Sequence, residues 1–238
     1  MELYFATDIE STGNCAADGS MISIGMVTYT DVQFDIGRFS VNISELPGAP
    51  RNPETMAFWA KHPEKWAETL VNQVDPEVAM QQLADFVESQ KALMERLQMI
   101  GLEKLRKTGE IFTPQSIDPV LVANPALFDG GFIFHYLWRF LGRSPFRHRC
   151  LDIRSYFAGM YGRPFLKSGK EQTPNAFRRL DLPMTHNALD DALHHGWMHY
   201  SLIGEAKRRD RYVTVNAQRQ AVEVPMLLPR TPISTTYS

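Results

Sequence analysis

Apolar residues gather first in three short blocks. Residues 3–9 form an apolar run ending in acids, 21–29 are rich in Ile, Val and Thr, and 34–43 alternate apolar with polar. These patterns predict strands, and Asn14, Gly19 and Asp31 between them suit turns, so the three form most simply an antiparallel meander. The period then changes. Asn52-Pro53-Glu54 combines an N-cap, a proline at the first helical position and an acid in the first turn, and Asp75-Pro76-Glu77 repeats the signal. From the second start Val78, Leu83, Phe86, Val87, Met94 and Leu97 recur at roughly helical spacing, predicting a long helix towards Lys104 that stops before Gly109 and Pro114. Beyond it, 119–124 reads as a buried strand, 129–141 as an apolar helix, and 150–153 as a short strand followed by a helix through Met160. The stretch 162–183, rich in Gly, Pro and charge, predicts a loop-dominated excursion. Asn187 to about Lys207 predicts a final helix, and the tail after Val224 a loosely held extension. A meander followed by alternating helices and strands predicts one α/β domain with a mixed sheet.

Composition narrows the class. With 238 residues, 44% hydrophobic and 22% charged, the chain matches a globular protein and excludes a disordered, collagen-like or disulfide-scaffold one. Its two cysteines, Cys15 and Cys150, form no CxxC pair, which excludes a zinc ribbon and fits a reducing compartment. No apolar run reaches bilayer length, and Glu2 and Asp8 are unlike a signal peptide, so a cytoplasmic protein with no membrane partner is expected. The net charge of −2 hides an asymmetry: residues 139–219 hold fifteen Lys/Arg against seven Asp/Glu. A basic half suits a polyanion, although such runs are more often solvated faces.

Three acidic positions carry candidate chemistry. Asp8 and Glu10 lie two apart on a strand and so share a face, where paired carboxylates repel unless a cation or proton neutralises them. Mg²⁺ prefers such oxygens, yet a chance D-x-E is an equal explanation of the pair alone. Asp129 follows a buried strand and opens a helix, where an acid serving the helix dipole is the simpler account. His186 stands just before the last helix with Asp191 five residues on, while Asp190 points about 100° away as a helix-start acid. A lone histidine there is more often structural. His195 and His199, four apart beside Trp197 and lacking the Glu of HExxH, read as structural.

Taken in order, the acids at the end of strand one, the start of a middle helix and the start of the last helix resemble the three motifs of the DEDD exonuclease superfamily. His186 and the H-x4-D spacing make the set similar to its DEDDh subgroup. The stretch 52–66, with Pro53, Thr55, Phe58 and Trp59, and Cys150-Leu151-Asp152-Ile153-Arg154-Ser155 resemble a bacterial and phage branch of 3′–5′ exonucleases. The resemblance spans roughly residues 3–204. It implies a ribonuclease H-like single domain over 1–207, with a mixed central sheet of three antiparallel strands and then two more, flanked by helices. A helical insertion near 90–115 and an extension over 208–238 would complete the chain.

It further implies a metal-dependent 3′–5′ exonuclease acting on single-stranded RNA or DNA and releasing nucleoside 5′-monophosphates. Asp8, Glu10, Asp129 and Asp191 would hold two divalent cations, Mg²⁺ or Mn²⁺, with Asp8 bridging them, and His186 would take a proton from the attacking water. Ser11, Thr12, Phe128 and Phe134 are candidate substrate contacts, although a Ser-Thr-Gly turn is equally just a turn and such aromatics are more often core. Lys167, Lys170, Arg178 and Arg179 are candidates for substrate phosphates. A homodimer is a further expectation of the resemblance. Two rivals stand beside it: a ribonuclease H-like endonuclease, which leaves His186 unexplained, and a non-catalytic nucleic-acid-binding module. The segment 90–115 exceeds what a compact member needs and suits a dimerisation arm, a substrate clamp or a mobile helix equally.

Overall fold

The computed structural model of the chain describes residues 1–108, 113–181 and 184–223. Five strands form one sheet: β1 (Glu2–Ser11), β2 (Met21–Tyr29), β3 (Gly37–Asn42), β4 (Asp118–Ala123) and β5 (Cys150–Asp152), in spatial order β3-β2-β1-β4-β5. The first three pair antiparallel, and β4 and β5 join parallel to β1 and to each other. This is the mixed sheet expected. The third strand is shorter than its alternation suggested, because Phe34 turns instead to pack against Trp197 and Tyr200.

Side chains of β1 alternate between two cores, as the pleat requires. Leu3, Phe5 and Ile9 join a cluster with α3 (Pro76–Thr108) and α4 (Asp129–Leu141), including Met80, Leu83, Phe132 and Tyr136. Tyr4 and Ala6 face the other way, towards α5 (Ile153–Tyr161) and α6 (Ala188–Glu223), where they meet Phe157, Leu193 and Met198. Every residue of β2 is buried, as expected for a strand covered on both faces.

The helix starts follow their local chemistry. Asn52 Oδ1 accepts from the N–H groups of Glu54 and Thr55 at the head of α1 (Pro53–Trp59), and Asp75 Oδ1 accepts from Glu77 N–H at 2.9 Å. A further helix, α2 (Pro63–Thr69), opens at His62-Pro63-Glu64 and was not foreseen. The excursion before α6 holds three short 3-10 turns, Phe165–Lys167, Lys170–Gln172 and Asn175–Phe177. The long helix α3 runs to Thr108, but Leu97, Met99 and Ile100 in its distal half are exposed, so apolar spacing there does not mark core.

One contact fixes the site end of α6. A Cβ on Gly25 of β2 would lie 2.1 Å from the backbone of Ala188, so this strand position admits only glycine under the helix start. Farther along, a Cβ on Gly196 would lie 2.7 Å from Val27. Deeper in the same interface, Tyr29 Oη and His199 Nδ1 are 2.8 Å apart, and burial pushes the His199 imidazole down to about 3, so it stays neutral.

Residues 1–203 form one compact unit, and the chain from Gly204 onward a second. The tail after Val224 lies outside the described residues. Among the described residues, no helix is long and apolar enough to cross a membrane.

Candidate metal and nucleic-acid site

The strand β1 ends with Asp8 and Glu10 on the face that α6 covers, and the first turn of α6 brings Asp191 over them. One carboxylate oxygen from each of the three lies within 4.8 Å of the others. Asp191 is buried, and its Oδ1 accepts the Thr185 N–H at 2.8 Å. Asn187 caps the helix, accepting from Leu189 and Asp190 N–H at 3.1 and 3.4 Å. Asp190 accepts from the Thr185 hydroxyl at 2.9 Å and lies outside the group.

Asp129 is the first residue of α4 and is 2% exposed. Its Oδ1 accepts the Ile9 N–H at 3.1 Å, a donor at the end of β1 beyond the last residue paired to β4. The acid therefore ties α4 to the strand that carries Asp8 and Glu10. Burial raises the Asp129 carboxyl well above the usual range. Burial first, then the carboxylates of Asp191 and Asp129, pushes Glu10 up to about 8. Acids crowded in this way, with Glu10 and Asp129 holding their protons more tightly than usual, suit a divalent cation with oxygen ligands.

His186 stands on the same cavity with a left-handed backbone, φ 56°, which a non-glycine residue adopts at some cost. Its ring packs against both Phe58 of α1, with centroids 5.0 Å apart, and His62 at 4.9 Å. Trp59 Nε1–H donates to the Ser11 carbonyl at 2.8 Å, fastening α1 to the end of β1. The cavity has a volume of about 590 Å³, with Asp8, Glu10, Asp191, His186 and His195 on its wall.

Asp8, Glu10, Asp129, His186 and Asp191 thus come together. The other candidates are placed differently. Ser11 donates to the Gly13 carbonyl at 2.7 Å, and the buried Thr12 hydroxyl accepts Ser20 N–H at 2.8 Å, so both hydroxyls serve the turn. Phe128 packs edge-on to Phe132 beside the α3–α4 core. Phe134 lines a separate apolar cavity of about 440 Å³ between α4 and β5.

Sequence reasoning gave no site role to three residues that meet this site, His195 among them having been read as structural. His195, one helical turn after Asp191, is buried with Nδ1 3.4 Å from Asp8 Oδ1. The i, i+4 spacing to Asp191 was the available signal. His62, at a His-Pro-Glu helix start, packs on His186. Arg154 lines the cavity from α5.

No protein-family model matches the chain, and no curated protein matches it. Solved structures do. A full-length 3′-exonuclease aligns with a TM-score of 0.56 at 13% identity, over 86% of this chain and 82% of its own. The nuclease domain of 3′hExo, described as a DEDDh family member bound to rAMP, gives 0.51 at 12% identity, over 85% and 92%. E. coli Exonuclease I in complex with a dT13 oligonucleotide gives 0.51 at 11% identity, over 90% of this chain and 44% of its own. The sheet order, the helices on both faces and these alignments agree: the chain has the ribonuclease H-like α/β fold of these exonuclease structures.

Proposed function

We propose that the protein is a metal-dependent 3′–5′ exonuclease that hydrolyses single-stranded nucleic acid and releases nucleoside 5′-monophosphates. The observation that carries this reading is the convergence of Asp8, Glu10 and Asp191 within 4.8 Å, with Asp129 fastened to the same strand and His186 on the same cavity. Asp8, Glu10 and Asp191 would hold one divalent cation, and Asp8 with Asp129 a second. Bound there, cations neutralise the phosphate, acidify the attacking water and stabilise the leaving 3′ oxygen.

The remaining work falls to the chain. His186 accepts the proton of the attacking water, and the rings of Phe58 and His62 restrict the orientation of its imidazole. Asn187, which caps α6, also donates to Glu68 Oε2 at 3.4 Å, fixing the residue next to His186 against α2. Met184 and Leu166 on the cavity wall give the terminal nucleotide an apolar surface and keep bulk water from part of the site.

The test uses single-stranded RNA and DNA oligonucleotides labelled at the 5′ end, with Mg²⁺, Mn²⁺ or EDTA. A ladder shortening from the 3′ end is expected, abolished by EDTA and by Asp8→Asn or Asp191→Asn. His186→Ala should lower kcat by about 10²-fold or more with little change in KM. Cleavage of a circular single strand would favour an endonuclease instead, and binding without cleavage under every metal would favour a binding module.

A further inference from the structure

The stretch Cys150-Leu151-Asp152-Ile153-Arg154-Ser155 has no part in the chemistry above, yet its geometry is tightly determined. Asp152 caps α5 by accepting Ser155 N–H at 2.6 Å, and its other oxygen accepts Ala126 N–H at 2.9 Å. The head of α5 is thereby pinned to the β4–α4 connection that precedes Asp129. Arg154, the second residue of α5, donates from Nε to the Phe165 carbonyl at 2.8 Å, and its guanidinium carbon lies 4.3 Å from the centroid of the Phe165 ring. Among the described residues it forms no ion pair. It is also the one Lys or Arg on the cavity wall among them. Arg179, by contrast, pairs with Asp181 and lies over Trp197.

An arginine fastened through Nε and stacked on a ring keeps its terminal amino groups as a pre-oriented fork, a geometry that suits a phosphate. The sheet register says which phosphate. Ala6, Val122 and Leu151 form one row across β1, β4 and β5. Asp8 lies two residues beyond that row on β1, and Arg154 lies in the helix that leaves β5, two strands away, while both line the same cavity. Two strand spacings are about 10 Å. That separation of the backbones is more than one phosphate spans, which favours a neighbouring phosphate of the strand over the scissile one.

We propose that Arg154 binds the phosphate one nucleotide upstream of the scissile one, making the enzyme select a polynucleotide end over a mononucleotide ester. The proposal rests on the exonuclease reading above. Wherever its charge is not neutralised, the carboxylate floor repels an incoming strand, and a fixed guanidinium beside that floor gives the second phosphate its counter-charge.

Two substrates separate this role from others: a 5′-labelled oligonucleotide, and the p-nitrophenyl ester of thymidine 5′-monophosphate, which carries only the scissile phosphate. Arg154→Met is expected to raise KM for the oligonucleotide by about 10–100-fold, the worth of a charged hydrogen bond, with kcat within about twofold. Hydrolysis of the ester should stay within about twofold of wild type, and Arg154→Lys should restore part of the loss in KM. A methylphosphonate at the penultimate linkage should raise the wild-type KM similarly and make it insensitive to Arg154→Met. An equal loss on both substrates, or no loss on the oligonucleotide, would overturn the proposal while leaving the exonuclease standing. Failure of the wild-type protein to cleave either substrate would instead overturn the exonuclease reading itself.

Discussion

Burial and the facing carboxylates of Asp191 and Asp129 push the Glu10 carboxyl up to about 8, whereas the unfolded chain releases that proton near the ordinary 4.5. The folded metal-free protein therefore binds more protons than the unfolded one between these values, and its stability falls as pH rises through that window. Glu10→Gln removes the charge while keeping the shape. In the metal-free protein it should match wild type near pH 4.5 and become more stable by about 1 kcal/mol or more by pH 8, a rise in Tm of about 2–4 °C. Its cleavage activity should fall, and the gain in Tm that Mn²⁺ gives the wild type should shrink. Calorimetric scans at pH 5 and 8, with and without Mn²⁺, check this; a pH-independent difference would show that Glu10 carries no excess charge cost. The shared face of Asp8 and Glu10 was legible from spacing, because a period of two forces it, whereas their role rested on the ordered resemblance of the acids. His195 and Arg154 were not. A buried histidine on an apolar helix and an arginine after a short strand look like core and surface until the fold shows what they face.

At the scale of elements, the position of α6 decides whether the acids meet. Its start rests on Gly25, directly across the β1–β2 ladder from Asp8. Gly25→Ala places a methyl 2.1 Å from the Ala188 backbone, so the helix start must shift. A cost of about 1–3 kcal/mol and a loss of activity of at least about tenfold are expected, read by thermal melts and the oligonucleotide assay. Gly101→Ala in α3, with nothing within 4 Å of the added carbon, should leave cleavage unchanged and match or exceed wild-type stability. The caps at Asn52 and Asp75 were readable because each works through its own neighbours. The short helix α2 and the exposed distal face of α3 were harder, since one is set by a turn and the other breaks the link between apolar spacing and burial.

The whole molecule draws its five site residues from three separated stretches of chain, all within the compact unit that closes at Ile203. A chain ending at Lys207 should therefore fold and cleave oligonucleotides within about threefold of the full-length protein; a collapse of its cooperative melt would place the C-terminal residues in the folding unit. The mixed sheet and the helix-covered faces followed from the early meander and the later alternation of helix and strand. The distribution of the acids has a cost and a use. Asp8 and Glu10 stand near one end of the compact unit in sequence and Asp191 near the other, so a chain that stops between them cannot assemble the site. On the proposed function, a product of interrupted translation, or one cut by a protease before residue 185, lacks His186 and Asp191 and is inert debris instead of an uncontrolled nuclease.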